Sequence, residues 1–151
     1  MRVRRATPLM LVVVAALGTS HAQAAKPKPK PITKTYTVNA TPNPNPPFGP
    51  SCSGMTEGVN GHRESLKVSG PGTLAVVVSG FAGDWDAAIL DGKGTLITQG
   101  DGTGSEQVPP NTGSGQETAK AKSKKAQTLF IDVCNFAGGP TASVKYTYTY
   151  S

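Results

Sequence analysis

The sequence has few of the side chains from which catalytic and metal sites are usually built. Its 151 residues include only 2 cysteines, 2 histidines and 9 aspartates or glutamates, and aromatic residues make up 6% of the chain. No zinc-ligand spacing and no strand-turn-helix nucleophile motif surrounds these residues. We therefore predict that the chain is not an enzyme.

Long apolar runs are also lacking. The longest, residues 9–17, is well short of the ~20 residues that a membrane-spanning helix needs. Arg2, Arg4 and Arg5 precede this run, and Ala22-Gln23-Ala24 follows it as a small-x-small cleavage site. This three-part layout is typical of a secretory signal peptide. We predict a signal over residues 1–24, a secreted product that is either free or wall-associated, and no stable membrane insertion; a short anchor is the alternative.

The formal net charge of +6 is concentrated near the N-terminus. Three arginines belong to the predicted signal, and Lys26, Lys28 and Lys30 alternate with proline just after it. The rest of the chain is close to neutral, so the charge does not indicate a nucleic-acid partner. Residues 25–50 are predicted to form a Lys/Pro-rich arm, with one edge strand over residues 34–40 between two proline-rich stretches.

Apolar and polar residues alternate in short segments along most of the mature chain, which is the period of a β-strand. The predicted strands are residues 34–40, 64–69, 73–79, 85–91, 95–98, 117–124, 127–135 and 141–150. Glycine and proline fall mainly between them, and Asp91-Gly92 is typical of a tight hairpin. We predict an all-β fold, a two-sheet antiparallel β-sandwich of about eight short strands, with its domain over residues 51–151.

Cys52 and Cys134 are the only two cysteines. In an oxidising compartment an even pair in a small domain usually forms a disulfide, and closing a loop of about 80 residues would stabilise the fold by roughly 4 kcal/mol. A pair of free thiols with a metal or redox role is the alternative. Neither cysteine has a CxxC spacing or a nearby histidine, so we predict the disulfide.

The order of motifs resembles a known family. Residues 72–86 read GTLAVVVSGFAGDWD, and DGKG at 91–94, Glu117 and FIDVCNFAG at 130–138 follow. Over residues 57–150 this order is similar to the bacterial pre-peptidase C-terminal domain. The resemblance implies a jelly-roll-like β-sandwich that accompanies secreted hydrolases, and some relatives bind calcium or polymers such as collagen. No peptidase segment lies beside it here, so we expect a stand-alone extracellular module.

Two candidate sites lie around the segment at residues 84–86. Asp84, Asp86 and Asp101 could supply oxygen ligands to calcium, although their spacing matches no defined calcium loop. The alternative is that such carboxylates serve turns or are solvated. Trp85 could stack on a ligand; the alternative places its ring in the sandwich core.

A third candidate site is the alternating row Lys120, Lys122 and Lys124. It marks one face of a strand as exposed, and it could contact an anionic polymer such as a cell-wall phosphate polymer. The alternative is that the lysines discourage edge-to-edge aggregation. Aromatic side chains do not alternate with them, which disfavours single-stranded nucleic acid.

His62 has Glu57 and Glu64 as acidic neighbours and Ser65 or Ser69 as formal nucleophiles. These residues are the basis of one alternative, an extracellular hydrolase or a protease inhibitor. A calcium-dependent structural domain without a ligand of its own is another. We expect instead a monomeric, non-catalytic module that adheres to an extracellular polymer or a secreted protein.

Overall fold

A computed structural model of the protein describes residues 27–42, 52–100 and 115–151. Within these ranges it contains eight β-strands and no helix, which confirms the predicted all-β fold. The strands are β1 (Ile32–Asn39), β2 (Gly61–Val68), β3 (Gly72–Phe81), β4 (Gly83–Leu90), β5 (Leu96–Gln99), β6 (Gly115–Ser123), β7 (Gln127–Gly138) and β8 (Thr141–Tyr150). The predicted signal, most of the second proline-rich stretch and Asp101 lie outside the described residues.

The strands pair as one long antiparallel ribbon folded on itself. β1 pairs with β8, β2 with β7, β3 with β6 and β4 with β5. β3 also pairs with β8, and β4 with β7, which divides the ribbon into two four-stranded sheets. The first sheet has the order β1-β8-β3-β6 and the second β2-β7-β4-β5, which is the strand arrangement of a jelly roll.

The core forms between the two sheets because alternate residues of each strand point inward. In β3, Leu74, Val76 and Val78 have no more than 1% of their surface exposed. In β7, Ile131 and Val133 are completely buried. A one-residue slip of either strand would turn these side chains to the outer side of the sheet, so the alternation fixes the register.

β1 lies at the open edge of the first sheet. Its eight residues pair with β8 from Ile32, opposite Tyr148, to Asn39, opposite Thr141. The strand predicted within the Lys/Pro-rich arm is therefore an edge strand of the sandwich. This position suits a strand between proline-rich segments, because proline cannot donate a ladder hydrogen bond.

The disulfide between Cys52 and Cys134 confirms the predicted pairing. The two residues are 82 positions apart in sequence, and their Cα atoms lie 5.7 Å apart. Cys134 is completely buried, and it alternates with the inward-pointing Val133. The bond thus fastens the segment before β2 to the outer side of the second sheet.

β4 and β7 pair at one end through two glycines that face each other. Gly83 and Gly138 are Cα partners with φ angles of +93° and +107°. A Cβ atom on Gly138 would lie 2.6 Å from the Gly83 Cα atom and would also meet the Ala82 carbonyl oxygen. Only glycine fits both the backbone conformation and the space here.

Candidate functional site

The outer surface of the first sheet, the hydroxyl–lysine face, is the strongest candidate site. It consists of every outward position of the four strands, and each alternates with an inward position. These positions are Thr33, Thr35, Thr37 and Asn39 on β1; Thr141, Ser143, Lys145, Thr147 and Thr149 on β8; Thr73, Ala75, Val77 and Ser79 on β3; and Gln116, Thr118, Lys120 and Lys122 on β6.

The strand register sets these side chains in rows across the sheet. One row runs from Thr33 through Thr147 and Ala75 to Lys120. The Thr33 and Thr147 hydroxyl oxygens lie 3.2 Å apart and share a hydrogen bond. Since neighbouring strands are about 4.8 Å apart and alternate residues about 6.6 Å apart along a strand, β1 and β8 present regularly spaced hydroxyl groups, which continue at the ends of β3.

The hydroxyl–lysine face is positively charged. Lys120, Lys122 and Lys145 are exposed, and none of the outward positions of the described strands of this sheet carries a carboxylate. Lys124, also exposed, continues the alternation two residues beyond Lys122. The acidic residue of β6, Glu117, points inward and is 3% exposed. The predicted lysine row therefore lies on a wider cationic face.

The other described carboxylates lie away from this face. Glu57 and Asp91 are on turns around the second sheet, Glu64 is on β2, Asp84 and Asp86 are on β4, and Asp132 is on β7. The outer side of the second sheet carries cations as well, namely Lys67, Lys93 and the paired Arg63, so both signs of charge are mixed there. The described outward positions of the first sheet carry only lysines as charged residues. Such an excess of positive charge favours the binding of an anion on the first sheet.

Trp85 lies in the core. Its side chain is part of the buried cluster, with 1% of the residue exposed, and its ring centroid is 6.3 Å from that of Phe81. The indole N–H donates a hydrogen bond of 3.1 Å to the Gly139 carbonyl oxygen. The ring therefore offers no face to an external ligand in this conformation, in agreement with the alternative that the sequence left open.

Asp84 and Asp86 are electrostatically coupled on β4. Burial raises the pKa of the half-buried Asp86 carboxyl, and the negative charge of Asp84 raises it further. Among the described residues, no group of three or more histidine, cysteine, aspartate or glutamate side chains is placed to hold a metal ion. Asp101, the third proposed calcium ligand, lies outside these residues, so the calcium site stays a prediction.

His62 belongs to a polar contact between the two sheets. Its Nδ1 atom is 2.7 Å from Glu57 Oε1, and its ring packs edge-on against Tyr36 of β1 at 5.4 Å. Glu64 also accepts two hydrogen bonds, of 2.9 and 2.8 Å, from Lys34 Nζ. These contacts close the sandwich where β1 faces β2.

Neither candidate serine joins His62. Ser65 is three residues further along β2, and it therefore lies on the opposite face of that strand. The Ser69 hydroxyl hydrogen-bonds instead to the Tyr150 hydroxyl at 3.2 Å. The described residues thus do not form the serine–histidine arrangement that the hydrolase alternative would need.

Lys145 and the hydroxyl rows are part of the site, but they were not predicted from the sequence. The signal was present in the alternation of threonine with inward residues at 33–37 and 141–149. It identifies a polar face, but only the strand order places that face beside Lys120 and Lys122.

In the part of the chain that the structure describes, no helix is long and apolar enough to cross a membrane. No protein-family model matches the sequence, and a comparison with curated proteins finds no relative.

Proposed function

We propose that the protein is an exported, non-catalytic β-sandwich module that adheres to an anionic extracellular polymer through its hydroxyl–lysine face. The observation that carries the proposal is the placement of Lys120, Lys122 and Lys145 on one sheet surface that has no carboxylate among its described outward positions. A secreted protein partner and a purely structural role are the alternatives.

The shape of the face suits an extended polymer. The face spans four strands, so repeated anionic groups can meet several lysines in succession. The threonine and serine hydroxyls between them can each donate and accept a hydrogen bond, which matches phosphate, sulfate, carboxylate or sugar oxygens. Individual exposed contacts are weak, and affinity on such a surface depends on many acting together.

Nucleic acid fits this face poorly. No aromatic side chain is among the described outward positions of the first sheet, because Tyr146 and Tyr148 point into the core. Single-stranded nucleic acid is usually held by bases stacked on exposed aromatic rings. The ligand that we propose is therefore a polymer of the cell-wall type that bears phosphate, sulfate or carboxylate groups.

Export and family membership are part of the same proposal. The Cys52–Cys134 disulfide supports an oxidising compartment, as does the signal-like sequence of residues 1–24. The jelly-roll strand order is what the resemblance to the pre-peptidase C-terminal domain implies, and it supports that resemblance at the level of fold.

The proposal can be tested by co-sedimentation with insoluble bacterial cell wall, before and after its phosphate polymers are removed. We expect salt-sensitive binding to the first and much weaker binding to the second. A variant with Lys26, Lys28 and Lys30 replaced by glutamine distinguishes the contribution of the arm to binding from that of the sheet. If replacement of these three lysines abolishes binding, the arm and not the sheet holds the protein on the polymer, which would contradict the proposal.

A further inference from the structure

A groove lies on the outer side of the second sheet, on the opposite face of the sandwich from the lysines. We call it the disulfide groove, because the Cys52–Cys134 bond holds one of its walls in place. Its volume is about 660 Å³, within the usual range for small-molecule sites. It runs between the segment at residues 52–57 and the β4–β5 hairpin.

One wall of the groove is apolar. It is formed by Met55, Leu90, Leu96 and Phe130. Leu96 is 42% exposed, although its Cα partner Leu90 is 7% exposed, so the strand β5 turns a large apolar side chain toward the opening. An apolar group placed in the groove would remove the Leu96 side chain from water, which favours binding.

Arg63 and Asp132 form an ion pair at the floor of the groove. Arg63 donates hydrogen bonds of 2.6 Å from Nε and Nη2 to the two carboxylate oxygens of Asp132. Its guanidinium also lies over the Phe130 ring, 5.4 Å from the centroid. This bidentate geometry neutralises Arg63 within the protein and leaves it little attraction for an anion.

Glu57 supplies a partly exposed carboxylate to the groove. Its side chain is 55% exposed; one carboxylate oxygen contacts His62, and the other accepts a hydrogen bond from the Arg63 backbone N–H. The lining residues carry two carboxylates, Glu57 and Asp132, against one guanidinium. Carboxylates therefore outnumber cations among the residues that line the groove, beside an apolar wall.

We propose that the disulfide groove binds a small amine with an apolar body. The ammonium group would lie at Glu57, where the protein already fixes the carboxylate with two contacts. The apolar body would pack against Leu96, Leu90 and Phe130. This site is independent of the polymer-binding face, because its lining residues belong to the segment at residues 52–57, the second sheet and the β4–β5 hairpin.

Three probes with a common phenylethyl body test the charge preference: 2-phenylethylamine, 2-phenylethanol and 3-phenylpropionate. Titration of the labelled protein, followed by amide chemical shifts, should show saturable shifts at residues 52–57 and at Leu96 for the amine. We expect the amine to bind at least tenfold more tightly than the carboxylate. Equal or tighter binding of 3-phenylpropionate, or no shift at these residues at millimolar amine, would overturn the proposal.

Two variants locate the site, and one serves as a control. Glu57→Gln replaces the carboxylate with an uncharged amide of the same shape, which keeps one acceptor oxygen, and we expect it to weaken amine binding about fivefold to tenfold. Leu96→Ser should weaken the amine and the alcohol alike, and it does not disturb the contacts of Glu57. Asp84→Asn removes the same charge from the same sheet outside the groove, and it should leave amine binding unchanged. An equal loss in Asp84→Asn and Glu57→Gln would contradict a site at Glu57.

Discussion

Arg63 and Asp132 are Cα partners in the pairing of β2 with β7, and their side chains form a bidentate ion pair on the outer face of the second sheet. The side chain of Asp132 is 2% exposed, whereas that of Arg63 is 44% exposed. The buried carboxylate therefore depends on one partly exposed guanidinium for its compensation. Breaking such a pair costs more than the pair itself contributes, because the remaining charge stays buried.

We predict that Arg63→Ala lowers the free energy of unfolding by about 2–3 kcal/mol, somewhat less than for a fully buried pair. Lys67→Ala, on the same outer face of β2 and exposed, should change it by less than about 0.5 kcal/mol. Urea unfolding followed by tryptophan fluorescence measures both, since Trp85 is in the core. Equal effects of the two substitutions would contradict the structural role of the pair.

Gly138→Ala should destabilise the fold strongly, because the new methyl group would collide with the backbone of Gly83 and Ala82. Gly94→Ala is a matched control. It also has a positive φ, of +80°, but nothing lies within 4 Å of the added Cβ atom. We expect the free energy of unfolding, measured with urea, to fall by about 3 kcal/mol for Gly138→Ala and by about 1 kcal/mol for Gly94→Ala. Equal losses would mean that the backbone angle, and not the close approach of β4 to β7, requires glycine.

Joint replacement of Cys52 and Cys134 by alanine should lower stability by about 4 kcal/mol, mainly through the freedom that the unfolded chain regains. Unfolding of the unaltered protein with and without reductant gives an independent measurement of the same bond. A variant that is as stable as the oxidised protein would show that the disulfide does not constrain the unfolded chain.

The half-buried Asp86 predicts a pH dependence of stability. Its pKa is higher in the folded protein than in the unfolded chain, because burial and the charge of Asp84 disfavour the carboxylate. The folded state therefore binds the proton more tightly, and stability falls as pH rises from the unfolded pKa through the folded one. Asp86→Asn should raise the free energy of unfolding near neutral pH and have less effect in acid.

Asp91 should contribute to the pH dependence of stability with the opposite sign. Its carboxylate accepts hydrogen bonds of 2.8 and 2.9 Å from the backbone N–H groups of Lys93 and Thr95, which lowers its pKa. Its stabilisation is present above the unfolded pKa and is lost as pH falls through the folded one. Asp91→Asn should therefore destabilise at neutral pH. A stability gain for Asp91→Asn, or a loss for Asp86→Asn, would contradict these assignments.

The alternation in the sequence was sufficient to predict most of the strands, because strands such as β3, β6 and β8 bury a single face. β8 begins and ends where the pattern placed it, at Thr141 and Tyr150. β3 lies in the interior of the first sheet, between β8 and β6. Alternation identifies faces and strand lengths, but it does not determine which strands become neighbours.

The candidate sites were harder to predict, because they depend on contacts between distant segments. Arg63 and Asp132 are 69 positions apart, and only the β2–β7 register joins them. A signal existed, since a charged residue within the apolar run at 129–133 requires a partner. Lys145 joins the lysine row only because β3 lies between β8 and β6. From the sequence pattern alone, the Trp85 ring could have been available to stack on a ligand or buried in the core.

Binding to dextran sulfate, compared with uncharged dextran over a range of salt concentrations, tests the central claim most directly. The matched variants are Lys120→Gln/Lys122→Gln on the hydroxyl–lysine face and Lys67→Gln/Lys93→Gln on the other side of the sandwich. Each pair removes two exposed charges. The two variants have equal net charges, so a difference in their binding distinguishes a localised site from nonspecific electrostatic attraction.

We expect the unaltered protein to bind dextran sulfate and not dextran. The Lys120/Lys122 variant should lower the slope of log affinity against log salt by about one for each lysine lost, and the Lys67/Lys93 variant should leave it nearly unchanged. Equal losses in the two variants, or binding to neither polymer, would contradict adhesion through the hydroxyl–lysine face.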